Sequence, residues 1–325
     1  MHNLHFRGTA LNIQTTGAIL ANNLDGTRLN LEGRAIAFAG DNNKISSLSL
    51  GFSEGLRPKD LHPKGVGSRM AYVMPETILV THDLFLEGGI LQNQGRLNTL
   101  RSFECVDSHV INDDNINAKT LTLKGGTLKN QGTLKAPVTA EGIDLLDNSG
   151  VIEGSWSVSS NSFINTGSIT GTGSLKTNVL ENYGLLGDER SVFNIQKTAH
   201  NDGYLKAGKV TGNSTFTNHH QLETEVLDVP VFLNQQRENV PFTSRVTGDS
   251  LTITKRVRQF TNEKNATIAV KRLVMEKREG VERQVKNDGV IEGDNNTKAS
   301  QITLQGNVEN KGSIRTQNFA WQGDT

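Results

Sequence analysis

Leu128-Lys129-Asn130-Gln131-Gly132-Thr133-Leu134 is followed, 18 residues on, by Leu146-Asp147-Asn148-Ser149-Gly150-Val151-Ile152, and the shared unit decides the fold. It runs apolar, any, Asn, any, Gly, any, apolar. The same unit stands at Leu91, Asn93, Gly95 and Leu97, then at Phe163, Asn165, Gly167 and Ile169. It returns at Leu180, Asn182, Gly184 and Leu186, and at Ala199, Asn201, Gly203 and Leu205. Two late copies are Val285, Asn287, Gly289, Ile291 and Val308, Asn310, Gly312, Ile314. Degenerate copies centre on Asn112, Asn218, Asn234 and Asn262, where Asp114, His220, Gln236 and Lys264 replace the glycine. Successive asparagines lie 16–19 residues apart up to Asn234, after which the steps lengthen to 28, 25 and 23.

A period this short excludes leucine-rich and helical repeats, which run longer and carry other signatures. Each period holds three short apolar stretches with strand-like alternation, as at Ile152, Trp156 with Val158, and Phe163. Turn formers separate them, for example Gly171, Gly173 and Asn178. Three short parallel strands per turn of chain describe an all-β fold, a parallel β-helix (solenoid) with coils of about 17–19 residues. Strand residues two apart share a face, so an inward Leu128 implies an inward Asn130. A buried amide left unbonded costs ~1–3 kcal/mol, so stacked asparagines are expected to bond one another or the turn backbone. The structural ladder is therefore expected at Asn93, Asn112, Asn130, Asn148, Asn165, Asn182, Asn201, Asn218, Asn287 and Asn310. The turn glycines Gly95, Gly132, Gly150, Gly167, Gly184, Gly203, Gly289 and Gly312 are expected to supply a left-handed backbone conformation.

Composition agrees with many short strands and turns. The 325 residues include 33 glycines and 32 asparagines, each about a tenth of the chain, against an average glycine share of ~7%. The formal net charge is zero, which argues against a nucleic-acid or anionic-membrane binder. No apolar run approaches the ~18–20 residues of a membrane helix, and no signal peptide is visible. The single cysteine, Cys105, makes neither an internal disulfide nor a thiolate metal site.

Residues 1–50 alternate like strands without the clean motif and are expected to form early coils or a cap. Residues 51–81 hold Pro58, Pro63 and Pro75 and read as an irregular loop. Residues 82–325 read as the β-helix shaft, with less regular coils after 223. Within it, residues 251–287 carry ten basic and four acidic side chains, a balance of +6. An anionic partner is one reading. The simpler one is solvated charge on outward positions of longer coils.

Catalytic chemistry is weakly signalled. The close carboxylate pairs worth checking are Asp113 with Asp114 and Asp144 with Asp147. His219-His220 lacks a third metal ligand, adjacent strand residues face opposite ways, and both are expected at an exposed turn. No phosphate loop, zinc spacing or calcium nonapeptide is present, so no cofactor and no metal is expected. Trp156 reads as core, and the tyrosines are too scattered for a sugar-stacking platform.

The Asn-x-Gly-x-Ile/Leu unit at this spacing resembles the coils of filamentous haemagglutinin-type adhesins and contact-dependent inhibition exoproteins over roughly residues 82–316. That resemblance implies a right-handed parallel β-helix, the shaft of a secreted or cell-surface bacterial protein, belonging to a longer chain. It also implies contact with a host or bacterial surface protein or glycan, with no nucleic-acid partner and no transmembrane segment. The family's secretion domain begins with Asn-Pro-Asn motifs, which are absent here. The alternative is a carbohydrate-active enzyme, a polysaccharide lyase or hydrolase, on the same scaffold. Since every recurring residue is used in building the coil, the sequence favours a non-enzymatic scaffold. An outward groove with three or more adjacent Asp, Glu, Lys or Arg would favour the enzyme.

Overall fold

The computed structural model describes residues 2–15, 18–52, 69–238, 243–277, 280, 282–293 and 297–322. Among these the only regular structure is β-strand, and the strands pair in parallel. The chain divides into two compact units, Met1–Asn161 and Ser162–Thr325, each a stack of coils.

The regular coils of the first unit show the design. His109–Asn112, Asn115–Ala118 and Leu121–Lys124 form one coil. Thr127–Asn130, Thr133–Lys135 and 138–141 lie in register beneath them, one full period later. Adjacent strands sit ~4.8 Å apart, so equivalent residues of successive coils stack directly. Val110 lies over Leu128 and Leu128 over Leu146, all buried. In the second unit part of the same column, between Ala199 and Val285, is aromatic. Phe216, Phe232 and Phe260 are fully buried and in register, with ring centroids 6.1 and 5.5 Å apart. Each coil buries one face of three short strands only against its neighbours, so stability approximates a sum over coil-to-coil interfaces.

The opening residues form coils of the same kind. Ala18–Asn22, Ala35–Ala39, Met70–Val73 and Ile90–Asn93 pair successively. The column that holds Asn93 is occupied in these earlier coils by Val73, Phe38 and Ala21, all buried. An apolar side chain fills the corner there, which is why the motif is invisible before residue 91. The loop expected over 51–81 falls largely on residues 53–68, outside the described residues. Its flanks are strands: Asn43–Phe52 extends into it, Met70–Val73 lies wholly within it, and Ile78–Glu87 starts inside it. Pro75 sits in the tight turn between the last two, where it donates no ladder hydrogen bond.

Cys105 lies inside the first unit between Leu86 and Leu123 of the neighbouring coils. Burial, reinforced by the charge of Glu104, pushes its thiol well above the ordinary cysteine range. The folded value is raised, so this group's contribution to stability is complete below the unfolded pKa of ~8.5 and is lost as pH rises above it. Native protein at pH 8 is expected to leave Cys105 unlabelled by a disulfide reagent, with full reaction after denaturation. Rapid labelling of the folded chain would contradict its place in the core.

Candidate functional site

The asparagines of the motif point inward and bond in series. In the first unit Asn93 Nδ2 donates to Asn112 Oδ1 at 2.8 Å, Asn112 to Asn130 at 2.7 Å, and Asn130 to Asn148 at 2.8 Å. In the second, Asn165, Asn182, Asn201, Asn218, Asn234, Asn262 and Asn287 each donate to the next asparagine at 2.7–2.9 Å, ending at Asn310. The donors all run toward the C-terminus. Most of these amides also reach a backbone carbonyl at the corner: Asn130 Nδ2 meets Gly132 O and Val151 O, both at 3.1 Å. The carbonyl of Asn130 in turn accepts from the amides of Ser149 and Gly150. Asn93 begins the first series, and its Oδ1 is buried without a partner because Val73 occupies the preceding rung.

Two members that the expected ladder omits, Asn234 and Asn262, are fully buried. Where the coil after Asn234 lengthens, Ser244 enters the corner, donating to the Asn218 carbonyl at 2.8 Å and contacting Asn234 Oδ1. Sequence reading missed Ser244, because a lone serine after a long corner carries no periodic signal. It also missed Asn43, a buried amide at another corner that donates to Ala39 O and Gly40 O.

The role expected for the turn glycines is corrected. None of Gly95, Gly132, Gly150, Gly167, Gly184, Gly203, Gly289 or Gly312 has a positive φ. What forbids a side chain is the neighbouring coil. A Cβ on Gly150 would strike the carbonyl of Gly132, one on Gly184 that of Gly167, and one on Gly312 that of Gly289. The glycine lets one backbone corner settle into the next. Asp114 therefore does not fit by tolerating a left-handed conformation. At that corner only Asp113 donates to the Asn93 carbonyl, and the following bond, Asn115 N to Gly95 O, stretches to 3.3 Å. The glycine corner below keeps Thr133 N to Asp114 O at 2.7 Å. Lys264 likewise avoids strain, because the widened corner 263–266 gives its positive φ of 67° to Asn265.

Three of the other sequence candidates, Asp113, Asp144 and His219, are tied down. Asp113 accepts from Gln92 and Gln94, and Asp144 from Asn161. His219 is half-buried rather than exposed: Nδ1 meets Asp202 Oδ1 at 2.8 Å, Nε2 faces the Gln235 amide, and the ring stacks on His200. It joins an outer polar ladder formed by residues immediately after the asparagines. Among the described residues no group of three His, Cys, Asp or Glu is placed to hold a metal ion. Trp156 is buried. In the basic segment, Lys271 pairs with Asp249, Lys286 with Asp288, and Arg256 with Asp228, partners that lie outside it in sequence. Arg283 overturns the outward reading for its own position. It is fully buried and donates to the carbonyls of Val257 (3.0 Å) and Thr254 (2.8 Å) and to Gln305 Oε1 (3.3 Å). A guanidinium has five donors, so it can be buried where corner carbonyls converge.

One outward recess of about 700 Å³ lies in the second unit. Lys206 stacks over Glu223 and Thr247, Gln221 over Arg245, and Glu189, Glu225 and Asp249 rim it. This is the adjacency of charge that would favour an enzyme. The groups, however, hold one another: Lys206 bridges Glu223 at 3.0 Å and Glu189 at 3.5 Å, and Tyr204 Oη donates to Glu223 at 2.6 Å. Hydrogen bonding to Glu223 keeps Lys206 protonated above its ordinary range. Burial, with the same carboxylate, raises Tyr204 to about 12. A general base at neutral pH must shed its proton near pH 7, so neither of these two serves as one. In alkaline difference spectroscopy Tyr204 is expected to ionise only toward pH 12, and Tyr204→Phe should delete that late step. The raised value means its contribution to stability fades as pH climbs from ~10 toward 12. Ionisation near pH 10 would break the link to Glu223.

No protein-family model matches this chain, and no curated protein or solved structure matches it.

Proposed function

We propose that the chain is a structural shaft whose outward faces are available for contact, as in the secreted or cell-surface adhesins its repeat resembles. The observation that carries this reading is the pair of uninterrupted carboxamide series, Asn93 to Asn148 and Asn165 to Asn310. The residues that recur are those that join coil to coil, and none is left over as a repeated chemical group. A scaffold of this kind is stiff along its stacking direction because each rung is bonded above and below. Its contact surface would be set by variable outward positions such as Tyr183, Leu185 and Val192, which are exposed.

The charged recess favours a second reading, a polysaccharide lyase or hydrolase. Incubation with a panel of neutral and acidic polysaccharides, followed by reducing-end and unsaturated-product measurements, separates the two. The shaft reading expects no turnover, together with saturable binding of the chain to bacterial or host cell surfaces or their glycans. Turnover abolished by Glu223→Gln would replace it with the enzyme. Absence of both turnover and surface binding would remove the adhesive part and leave a bare scaffold.

A further inference from the structure

The outward recess of the second unit is shaped by a mismatch in coil length. Lys206, Glu223 and Thr247 stack on three successive coils. Beyond them Glu223 and Val226 pair with Thr247 and Thr252, so the coil of 245–253 takes two more residues over that stretch. Gly248, at φ +153°, and Asp249 fall in the surplus and form one lip of the recess. Glu189, in the corner between Leu185–Leu186 and Val192–Asn201, forms the other. Between the lips run the shorter coils, floored by the buried Ala207 and Thr224. The volume of about 700 Å³ falls within the ~300–1,000 Å³ of small-ligand sites, and polar groups repeat across the floor every ~4.8 Å.

The charges in the recess select its ligand. Four carboxylates, Glu189, Glu223, Glu225 and Asp249, stand against Lys206 and Arg245, so a sulfated or uronic glycan meets repulsion. Three of those carboxylates already hold a cation: Lys206 bridges Glu189 and Glu223, and Lys271 bridges Asp249 at 2.7 Å. A cationic ligand would have to displace these partners. What the recess keeps in reserve is hydrogen-bonding capacity. A carboxylate accepts about four bonds, an ammonium donates three, and the Gln221 amide does both. A sugar hydroxyl also donates and accepts, so neighbouring hydroxyls can join these pairs without breaking any. The Tyr204 hydroxyl and the ion pairs fix the floor before a ligand arrives, which lowers the ordering cost of binding. Building on the shaft reading above, we propose that the recess binds an uncharged stretch of glycan, its hydroxyls bonded to Lys206, Glu223 and Gln221 across adjacent coils.

The test titrates the full chain with neutral trisaccharides of glucose, galactose, mannose and N-acetylglucosamine, and separately with trigalacturonate and with spermidine. Calorimetry reads affinity, and backbone amide shifts read position. At least one neutral trisaccharide is expected to saturate and to move amides within 204–209, 221–226 and 245–250. Gln221→Ala should weaken that binding about fivefold, and Thr247→Arg, which places a long side chain in the recess, about tenfold, both with melting temperatures close to the parent. Unchanged affinity in both variants, or shifts confined to other coils, would overturn the recess as the site. Tighter binding of trigalacturonate or spermidine than of every neutral sugar would overturn the choice of ligand. Absence of neutral-sugar binding would overturn the inference outright, and adhesion of the same protein to cell surfaces would then leave the shaft reading standing.

Discussion

Gly184→Val is expected to lower the unfolding free energy by about 3 kcal/mol, because the added carbons have nowhere to go but into the backbone of the next coil. A Cβ at this position already overlaps the Gly167 carbonyl, so Gly184→Ala should be harmful too. Lys176→Val, on the exposed face of the same unit, should be nearly silent. The cause can be separated from backbone strain by asparagine, which accepts left-handed conformations. Gly142 has φ +62° with nothing within 4 Å of its Cβ position, so Gly142→Asn should cost no more than about 1 kcal/mol. Gly184→Asn should be as damaging as alanine or worse. Urea midpoints for the set decide the matter, and a wild-type midpoint for Gly184→Ala would refute the collision.

Asn182→Leu is expected to cost about 2 kcal/mol, since it strands the buried Asn201 Oδ1 at ~1–3 kcal/mol and removes one rung bond of Asn165. Asn201 Oδ1 loses its donor and Asn165 Nδ2 its shortest bond, keeping the Gly167 and Leu185 carbonyls, while the Gly184 and Tyr204 carbonyls lose a shared donor. Leucine has as many side-chain heavy atoms as asparagine but is bulkier, so no cavity opens and the loss combines broken hydrogen bonds with crowding at the corner. Asn310→Leu provides the internal comparison, because that side chain is exposed and ends the series. Thermal unfolding of the two variants should differ clearly. Similar melting temperatures would mean that the ladder contributes register but little stability.

The coil itself was legible because the Asn-x-Gly unit is both chemically unusual and periodic. From Asn93 onward the repeated unit marked the corner asparagines, but the expected ladder left out Asn234 and Asn262, whose degenerate motifs and longer steps hid that they are buried rungs too. The earlier coils were legible only as alternation, since Ala21, Phe38 and Val73 fill the same corner with ordinary apolar side chains. The glycine was correctly singled out for the wrong reason. Both a positive φ and a close approach demand glycine, and a single chain cannot reveal which neighbour comes within reach one period away. The same blindness to neighbours hid the partners of the basic segment and the burial of Arg283, whose acceptors are supplied by separate coils. The recess at Lys206 and Glu223 was not legible either, because its members meet only through register.

The widened corner at 263–266 carries a practical consequence. There the chain takes extra residues between Asn262 and Ile268, yet Asn262 still bonds Asn287 at 2.8 Å and Ile268 still stacks on Ile291. Lys264 and Asn265 stand in solvent at the apex. A foreign peptide spliced between them should ride outward as cargo while the rungs above and below stay locked, which makes this corner a natural grafting point for epitopes or tags.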